Sequence, residues 1–329
     1  MKIVKLTFNY DWPLFRQTPQ FSQIWGDYKF IIDDQLTDCD FWIVFTDYNL
    51  KPETVNCNPK NIIFIPGECY ATSPKFSQQF LNQFGLLITV QKELRHKNII
   101  YKHNANPWFV GKSFDELMQQ PVPEKTKLIS VVTSNKAFTD GHLKRLEFVK
   151  KLKGHFGDKL DLFGRGIHDF DDKWEVLADY KYTIAIENDF CEDWVTEKYF
   201  DCIYANSLPF YYGCPNLETF VDENSFIRID IDNHQEAIRI IEESIDNNEY
   251  EQRKESLIKQ SQSSLNNDQF FPFMVSILEN MDADLKKKNT KLLLNHSYSL
   301  PARIKMFISN TISRIIGQHA MSKLKKLRR

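Results

Sequence analysis

The 329-residue chain has no long apolar run at its start, few glycines, and no paired spacing among its cysteines. Met1 to Phe8 reads directly as a strand and lacks the continuous apolar region of a signal peptide or membrane anchor, so export is not expected. Cysteines 39, 57, 69, 191, 202 and 214 form no CxxC pair and no metal-ligand spacing, and several lie inside apolar stretches. They are expected to be reduced core thiols of a cytoplasmic protein, with no bound metal and no resident cofactor. Charge of one sign is also lacking: 42 Lys and Arg face 44 Asp and Glu, a net charge of −2. With its basic residues gathered in one tail and not interleaved with stacking aromatics, the chain carries no nucleic-acid motif, and no nucleic-acid partner is expected.

What is there suffices for two packed domains. Hydrophobic residues make up 42% and aromatics 14% of a chain longer than most single cores reach. Residues 1–110 alternate short apolar runs with connections, namely Ile3 to Phe8, Phe30 to Asp33, Phe41 to Thr46, Asn61 to Ile65, Leu86 to Thr89 and Ile99 to Tyr101. Such alternation predicts a parallel α/β sheet. Residues 111–125, flanked and punctuated by Pro107, Pro121 and Pro123, read as a linker. A second α/β domain is expected over 126–285. Late in it, Asp268 to Met281 carries an apolar stripe expected to cross back onto the first domain.

The most informative stretch is Tyr180 to Phe220. Tyr182 to Ile186 predicts a buried strand that delivers Glu187 and Asn188 to its C-terminal edge, where ligands collect in open α/β sheets. An acidic segment follows, and Thr196-Glu197-Lys198 then opens a helix with Val195, Tyr199, Cys202, Ile203 and Ala205 on its apolar face. A helix start offers unpaired N–H groups and a partial positive charge to a phosphate. Lys198 would add a full charge, and the Glu197 carboxylate could accept two bonds from vicinal ribose hydroxyls. Both residues also fit an ordinary solvated first turn.

This stretch resembles the donor-binding signature of the α-1,3/4-fucosyltransferases, glycosyltransferase family 10. The family pattern runs F-x-x-A-x-E-N-S, then D-Y-V-T-E-K, then A-x-x-x-x-x-P-V-x-x-G. Here it reads Tyr182-Thr183-Ile184-Ala185-Ile186-Glu187-Asn188, Asp193-Trp194-Val195-Thr196-Glu197-Lys198, and Ala205, Pro209 and Gly213. Trp194 stands where the family commonly has tyrosine, which keeps a ring for stacking on a base or ribose but replaces the hydroxyl with an indole N–H. The resemblance implies two Rossmann-like domains facing across a cleft, the GT-B architecture, and a bacterial-type enzyme that binds GDP-fucose without a tightly held metal.

Further elements take their reading from the same resemblance. Val131 to Asn135 followed by Arg145 is similar to the family's S-N…R element, which places Ser134, Asn135 and Arg145 at the donor diphosphate. A forked guanidinium suits two parallel bonds to phosphate oxygens, although Lys144 and Arg145 also fit a solvated helix face. Gly164-Arg165-Gly166 is similar to a family turn that approaches the ligand, a GxG being weak evidence by itself. Glu68, lifted off a strand end by Pro66-Gly67, resembles the glutamate that serves as base toward the acceptor; otherwise it is a solvated turn carboxylate.

The composition changes at Lys286. Between Pro301 and Arg329 there are eight Lys or Arg residues and no acidic ones, with Ile304, Phe307, Ile308, Ile312, Ile315 and Ile316 at helical spacing. Residues 286–329 thus read as a basic amphipathic tail, suited to an anionic membrane surface or to packing on the body. The function expected from all this is an inverting transfer of L-fucose from a GDP-sugar donor to a glycan acceptor, with peripheral membrane attachment. Two rivals stand beside it: a glycosyltransferase of the same fold using another nucleotide-sugar, and a non-catalytic membrane-associated binding protein.

Overall fold

The computed structural model describes residues 1–294, apart from 9–11, 33–34, 47–49, 70–75, 104, 106, 134–139 and 165. These residues form two units. The first gathers Met1–Pro107, Ser113–Glu116 and the described residues from Leu265 onward; the second gathers Trp108–Lys112 and Leu117–Ser264.

In the first unit, β1 (Lys2–Phe8), β2 (Ile24–Trp25), β3 (Tyr28–Ile31), β4 (Phe41–Phe45), β6 (Ile62–Ile65), β7 (Leu86–Thr89) and β8 (Ile99–Tyr101) make one sheet in the order β2-β3-β1-β4-β6-β7-β8. Every pairing is parallel except that of β2 with β3. β4 and β6 are buried at every position, as unbroken apolar runs in a parallel sheet should be. The strand β5 (Glu53–Cys57) escapes the sequence reading because its polar composition gives no apolar run. A short helix, α1 (Gln78–Leu81), precedes β7, and α2 (Phe114–Gln119) starts with Ser113 and Glu116 capping each other reciprocally.

The second unit is a five-stranded parallel sheet built from β9 (Lys127–Val132), β10 (Leu160–Phe163), β11 (Tyr180–Ile186), β12 (Leu208–Tyr212) and β13 (Ile227–Arg228). Its order is β10-β9-β11-β12-β13, so the chain moves outward from β9 to β10 and then returns to the other side of β9. Connections run through α3 (Asp140–Phe156) and α4 (Glu197–Tyr204), and α5 (His234–Asp246) and α6 (Glu249–Asn267) follow β13. β11 is the central strand, with Ile184 opposite both Val131 and Phe210.

The domain border differs from the one read off the sequence. The apolar stripe after α6 becomes α7 (Phe270–Leu278), and it belongs to the first unit. Phe270, Phe271, Phe273, Met274 and Leu278 are buried in one cluster with Val4, Leu6, Phe8, Phe30, Ile43 and Phe45. Each such ring removed from water contributes about 1.5–3 kcal/mol, so α7 is part of that core. β14 (Lys288–Leu292) then pairs antiparallel with β5. The border therefore falls at Ser264/Leu265 and not at 285, and the start of the segment read as a tail is a strand of the first unit. The rest of that segment, 295–329, lies outside the described residues. No described helix is long and apolar enough to cross a membrane.

Candidate functional site

The reversal in strand order puts a topological switch point between β9 and β11, and in open α/β sheets ligands bind outside the carboxyl ends of the strands at such a point. Glu187 and Asn188 follow β11 there. The Glu187 N–H still bonds the Tyr212 carbonyl at 2.8 Å, which extends the ladder by one residue and fixes where the side chain leaves the sheet. Its carboxylate is fully buried. The Thr196 amide donates to Oε1 at 2.9 Å, and the Thr196 hydroxyl lies 2.8 and 2.7 Å from the two oxygens. The Tyr211 hydroxyl reaches Oε1 at 3.5 Å. Gly213, at φ +152°, passes so close that a Cβ there would stand 2.3 Å from Glu187 Cγ. Only glycine fits that backbone and that gap.

Thr196 is also the N-cap of α4, its hydroxyl accepting from the Lys198 amide. Lys198 Nζ lies 3.3 Å from Glu187 Oε2, 3.0 Å from Glu197 Oε1 and 3.2 Å from Thr196 Oγ1. Burial opposes its charge, yet the two carboxylates outweigh that and hold the ammonium above its ordinary range. Burial likewise works against the Glu197 carboxylate, but Lys198 and Lys173 pull its pKa down to about 2. For Glu187 burial prevails and raises the pKa, with Lys198 acting the other way. Arg145, on the buried face of α3, donates to Asn188 Oδ1. Burial draws its guanidinium down to about 10, which leaves it charged at neutral pH.

The result is a helix start with two cations, Lys198 and Arg145, beside the end of the central strand. Such a helix start can hold an anion, and the Glu197 and Lys198 side chains are 19–23% exposed.

Residues 122–260 match the family model "Glycosyltransferase family 10 (fucosyltransferase) C-term". Over that stretch the chain is similar to glycosyltransferase family 10. A fucosyltransferase-like protein of Arabidopsis thaliana is 35% identical over 118 residues, which are 34% of this chain and 22% of that protein. An α-(1,3)-fucosyltransferase of Caenorhabditis elegans is 38% identical over 98 residues, 26% of this chain and 21% of that protein. The matched segments thus span about a fifth of these relatives' length. Among solved structures, a crystal structure of an α1,3-fucosyltransferase with GDP-fucose aligns over 95% of this chain and 90% of that one, at 17% identity and a TM-score of 0.45.

Within the matched stretch the structure brings Arg145, Glu187, Asn188, Glu197 and Lys198 into one cluster of contacts. Glu187, expected beside the donor, is buried, and Thr196, Lys198 and Tyr211 contact its carboxylate, which ties the strand end to the helix start. Trp194, expected to stack on a base or ribose, is 4% exposed. Gly164, at φ +142°, packs against β9: a Cβ there would meet the Thr133 carbonyl oxygen at 1.8 Å. Ser134 and Asn135 lie outside the described residues. Glu68 is in the other unit, half-buried after β6, where its carbonyl accepts a bond from Gln91 Nε2 at 3.0 Å.

Three contributors had no signal in the sequence. Lys173 pairs with the buried Asp201 at 2.7 Å and adds to the field on Glu197. Asp201 Oδ1 in turn accepts from the Phe109 and Val110 amides at 2.7 and 3.3 Å, fastening the start of the second unit to α4. Tyr211 links Glu187 to the Cys214 amide. These residues are far apart in sequence, and only the sheet order makes them neighbours.

Proposed function

We propose that the chain is a glycosyltransferase that moves L-fucose from GDP-β-L-fucose to a hydroxyl of a glycan acceptor with inversion, giving an α-linked product. The observation that carries this reading is the Lys198 ammonium, held by Glu187 and Glu197 at the start of a helix inside the stretch that matches family 10. Lys198 and Arg145 offset the charge that grows on the diphosphate as the bond from the anomeric carbon to the leaving oxygen breaks. GDP departs with that electron pair. Glu197 accepts bonds from the ribose hydroxyls. Glu68 takes the acceptor's proton as its oxygen attacks the opposite face of the anomeric carbon, a contribution of about 10²–10⁴-fold for a positioned base.

The protein's own cations carry the diphosphate charge in this scheme, without a required divalent ion. The acceptor we favour is an N-acetylglucosamine or glucose 3-hydroxyl in a surface polysaccharide or lipopolysaccharide precursor. We infer a cytoplasmic enzyme attached to the inner membrane face through its basic C-terminal segment. Calorimetric titration with GDP, GDP-fucose, GDP-mannose and UDP-galactose tests the donor. Binding of GDP and GDP-fucose that is lost in Lys198→Ala supports it; preference for another nucleotide-sugar, or no guanine-nucleotide binding, removes it.

A further inference from the structure

The loop from Glu187 to Thr196 commits most of its side chains to the fold. Glu187 holds Thr196 and Lys198, Asn188 accepts from Arg145, and Trp194 is buried. Asp193 and Asn216 bond each other twice, each contact 2.9 Å. Two adjacent residues stand outside this pattern. Asp189 is half-buried, yet its carboxylate has no hydrogen bond or ion pair with any described residue. Burial raises its pKa, with the Lys198 charge acting against the rise. Phe190 is 60% exposed, its ring meeting Tyr212 at a centroid distance of 5.4 Å and a tilt of 38°.

Both features cost free energy in the protein alone. A partly desolvated carboxylate without a donor loses hydration, and an exposed phenyl ring forgoes burial. A flat ligand with neighbouring N–H groups on one edge satisfies the two together. We propose that Asp189 and Phe190 read the base of the donor nucleotide, Phe190 by stacking and Asp189 by accepting two N–H bonds from the edge of a guanine. This rests on the nucleotide-sugar reading above and deepens it. A carboxylate is acceptor-only with two oxygens in one plane. Guanine offers its ring N1–H and exocyclic amine side by side, whereas the matching edges of adenine and uracil each set an acceptor beside the donor. The neighbouring Lys198 and Arg145 then lie on the diphosphate side of the same ligand.

The test is calorimetric titration of the full chain, Asp189→Asn, Phe190→Ala and Phe190→Tyr with GDP, IDP, XDP, UDP and GDP-fucose. In the unaltered chain GDP should bind about tenfold or more tighter than IDP, which lacks the exocyclic amine. Asp189→Asn should lose at least that factor for GDP and gain for XDP, whose carbonyl replaces the amine and can accept from the asparagine amide; that gain also shows that the variant is folded. Phe190→Ala should weaken GDP and IDP alike by about tenfold or more, with Phe190→Tyr near the unaltered value. Equal GDP and IDP affinity, or an Asp189→Asn variant weakened only toward GDP-fucose, would overturn the proposal, the latter by placing the carboxylate on the sugar. If the unaltered chain binds UDP and no guanine nucleotide, the donor assignment itself falls, an outcome visible before any variant is compared.

Discussion

Thr196 touches both oxygens of the Glu187 carboxylate with its hydroxyl and one of them with its amide, while the same hydroxyl caps α4. One threonine therefore ties the end of the central strand to the start of the helix. Glu187→Gln keeps the shape but removes the charge that faces Lys198. Breaking a buried pair from one side costs about 3–5 kcal/mol, so urea unfolding at neutral pH should show a loss on that scale. Thr196→Val should cost about 1 kcal/mol for the cap and more for the hydroxyl donor withdrawn from Glu187. The double variant should lose less than the two single losses added together. Strict additivity would mean that the two side chains do not act as a unit.

The depressed Glu197 carboxyl makes a pH prediction with a definite sign. Its pKa falls from an ordinary 4.5 to about 2 in the folded chain, so the unfolded chain takes up the proton first on acidification. The stabilisation is complete above about pH 4.5 and is lost as the pH falls toward 2, an integrated effect of about 3 kcal/mol. Glu187, shifted upward, works in the opposite direction, so the informative quantity is a difference between variants. The stability gap between the unaltered chain and Glu197→Gln, measured by urea unfolding at pH 7, 4 and 2.5, should shrink with acidification. A gap independent of pH would mean that Lys198 and Lys173 do not hold the carboxylate ionised.

The parallel α/β character of both units was legible because Phe41–Phe45, Ile62–Ile65 and Tyr182 to Ile186 are unbroken apolar or β-branched runs, as expected of a sheet covered on both faces. Arg145, Glu187, Asn188, Glu197 and Lys198 were legible through a resemblance in which each matches a pattern position. What each side chain does was less so. Glu187 looks like a ligand contact in the sequence, and only the 2.7–2.9 Å bonds to Thr196 show it facing inward. The burial of Trp194 is likewise not marked in the sequence. The return of α7 to the first unit was visible as an apolar stripe, but the pairing of β14 with β5 was not, since LysAsnThrLysLeu and GluThrValAsnCys have no apolar alternation strong enough to mark strands.

The proposed membrane attachment depends on the basic residues that follow β14. Sedimentation of the full chain with vesicles should show binding to phosphatidylserine-containing membranes and little to neutral phosphatidylcholine. Each Lys or Arg near an anionic surface contributes about 1 kcal/mol, so with eight between Pro301 and Arg329 the binding should weaken sharply from 0.1 to 0.5 M salt. A chain ending at Leu294 should stay in the supernatant yet bind GDP as before. Equal sedimentation of the shortened chain would move the attachment elsewhere.

Asp201 offers a prediction that separates stability from ligand binding. Its Oδ1 holds the Phe109 and Val110 amides and its Oδ2 holds Lys173, with almost no exposure of the carboxylate. Asp201→Asn retains one acceptor oxygen but turns an amide or a neutral oxygen toward a half-buried ammonium, and should cost up to about 3–5 kcal/mol. Lys173→Met alone leaves the carboxylate with its two amide donors and should cost less. The pair should show a coupling of about 1–3 kcal/mol in a double-mutant cycle, because Lys173→Met removes the cation that Asp201→Asn strands. Lys173→Met should also lift the Glu197 pKa, since Lys173 is one of the two charges depressing it. That rise, read as a smaller acid-dependent gap between Lys173→Met and Lys173→Met/Glu197→Gln, would show the Asp201 pair and the helix start sharing one electrostatic network. An unchanged gap would make Lys173 a partner of Asp201 alone.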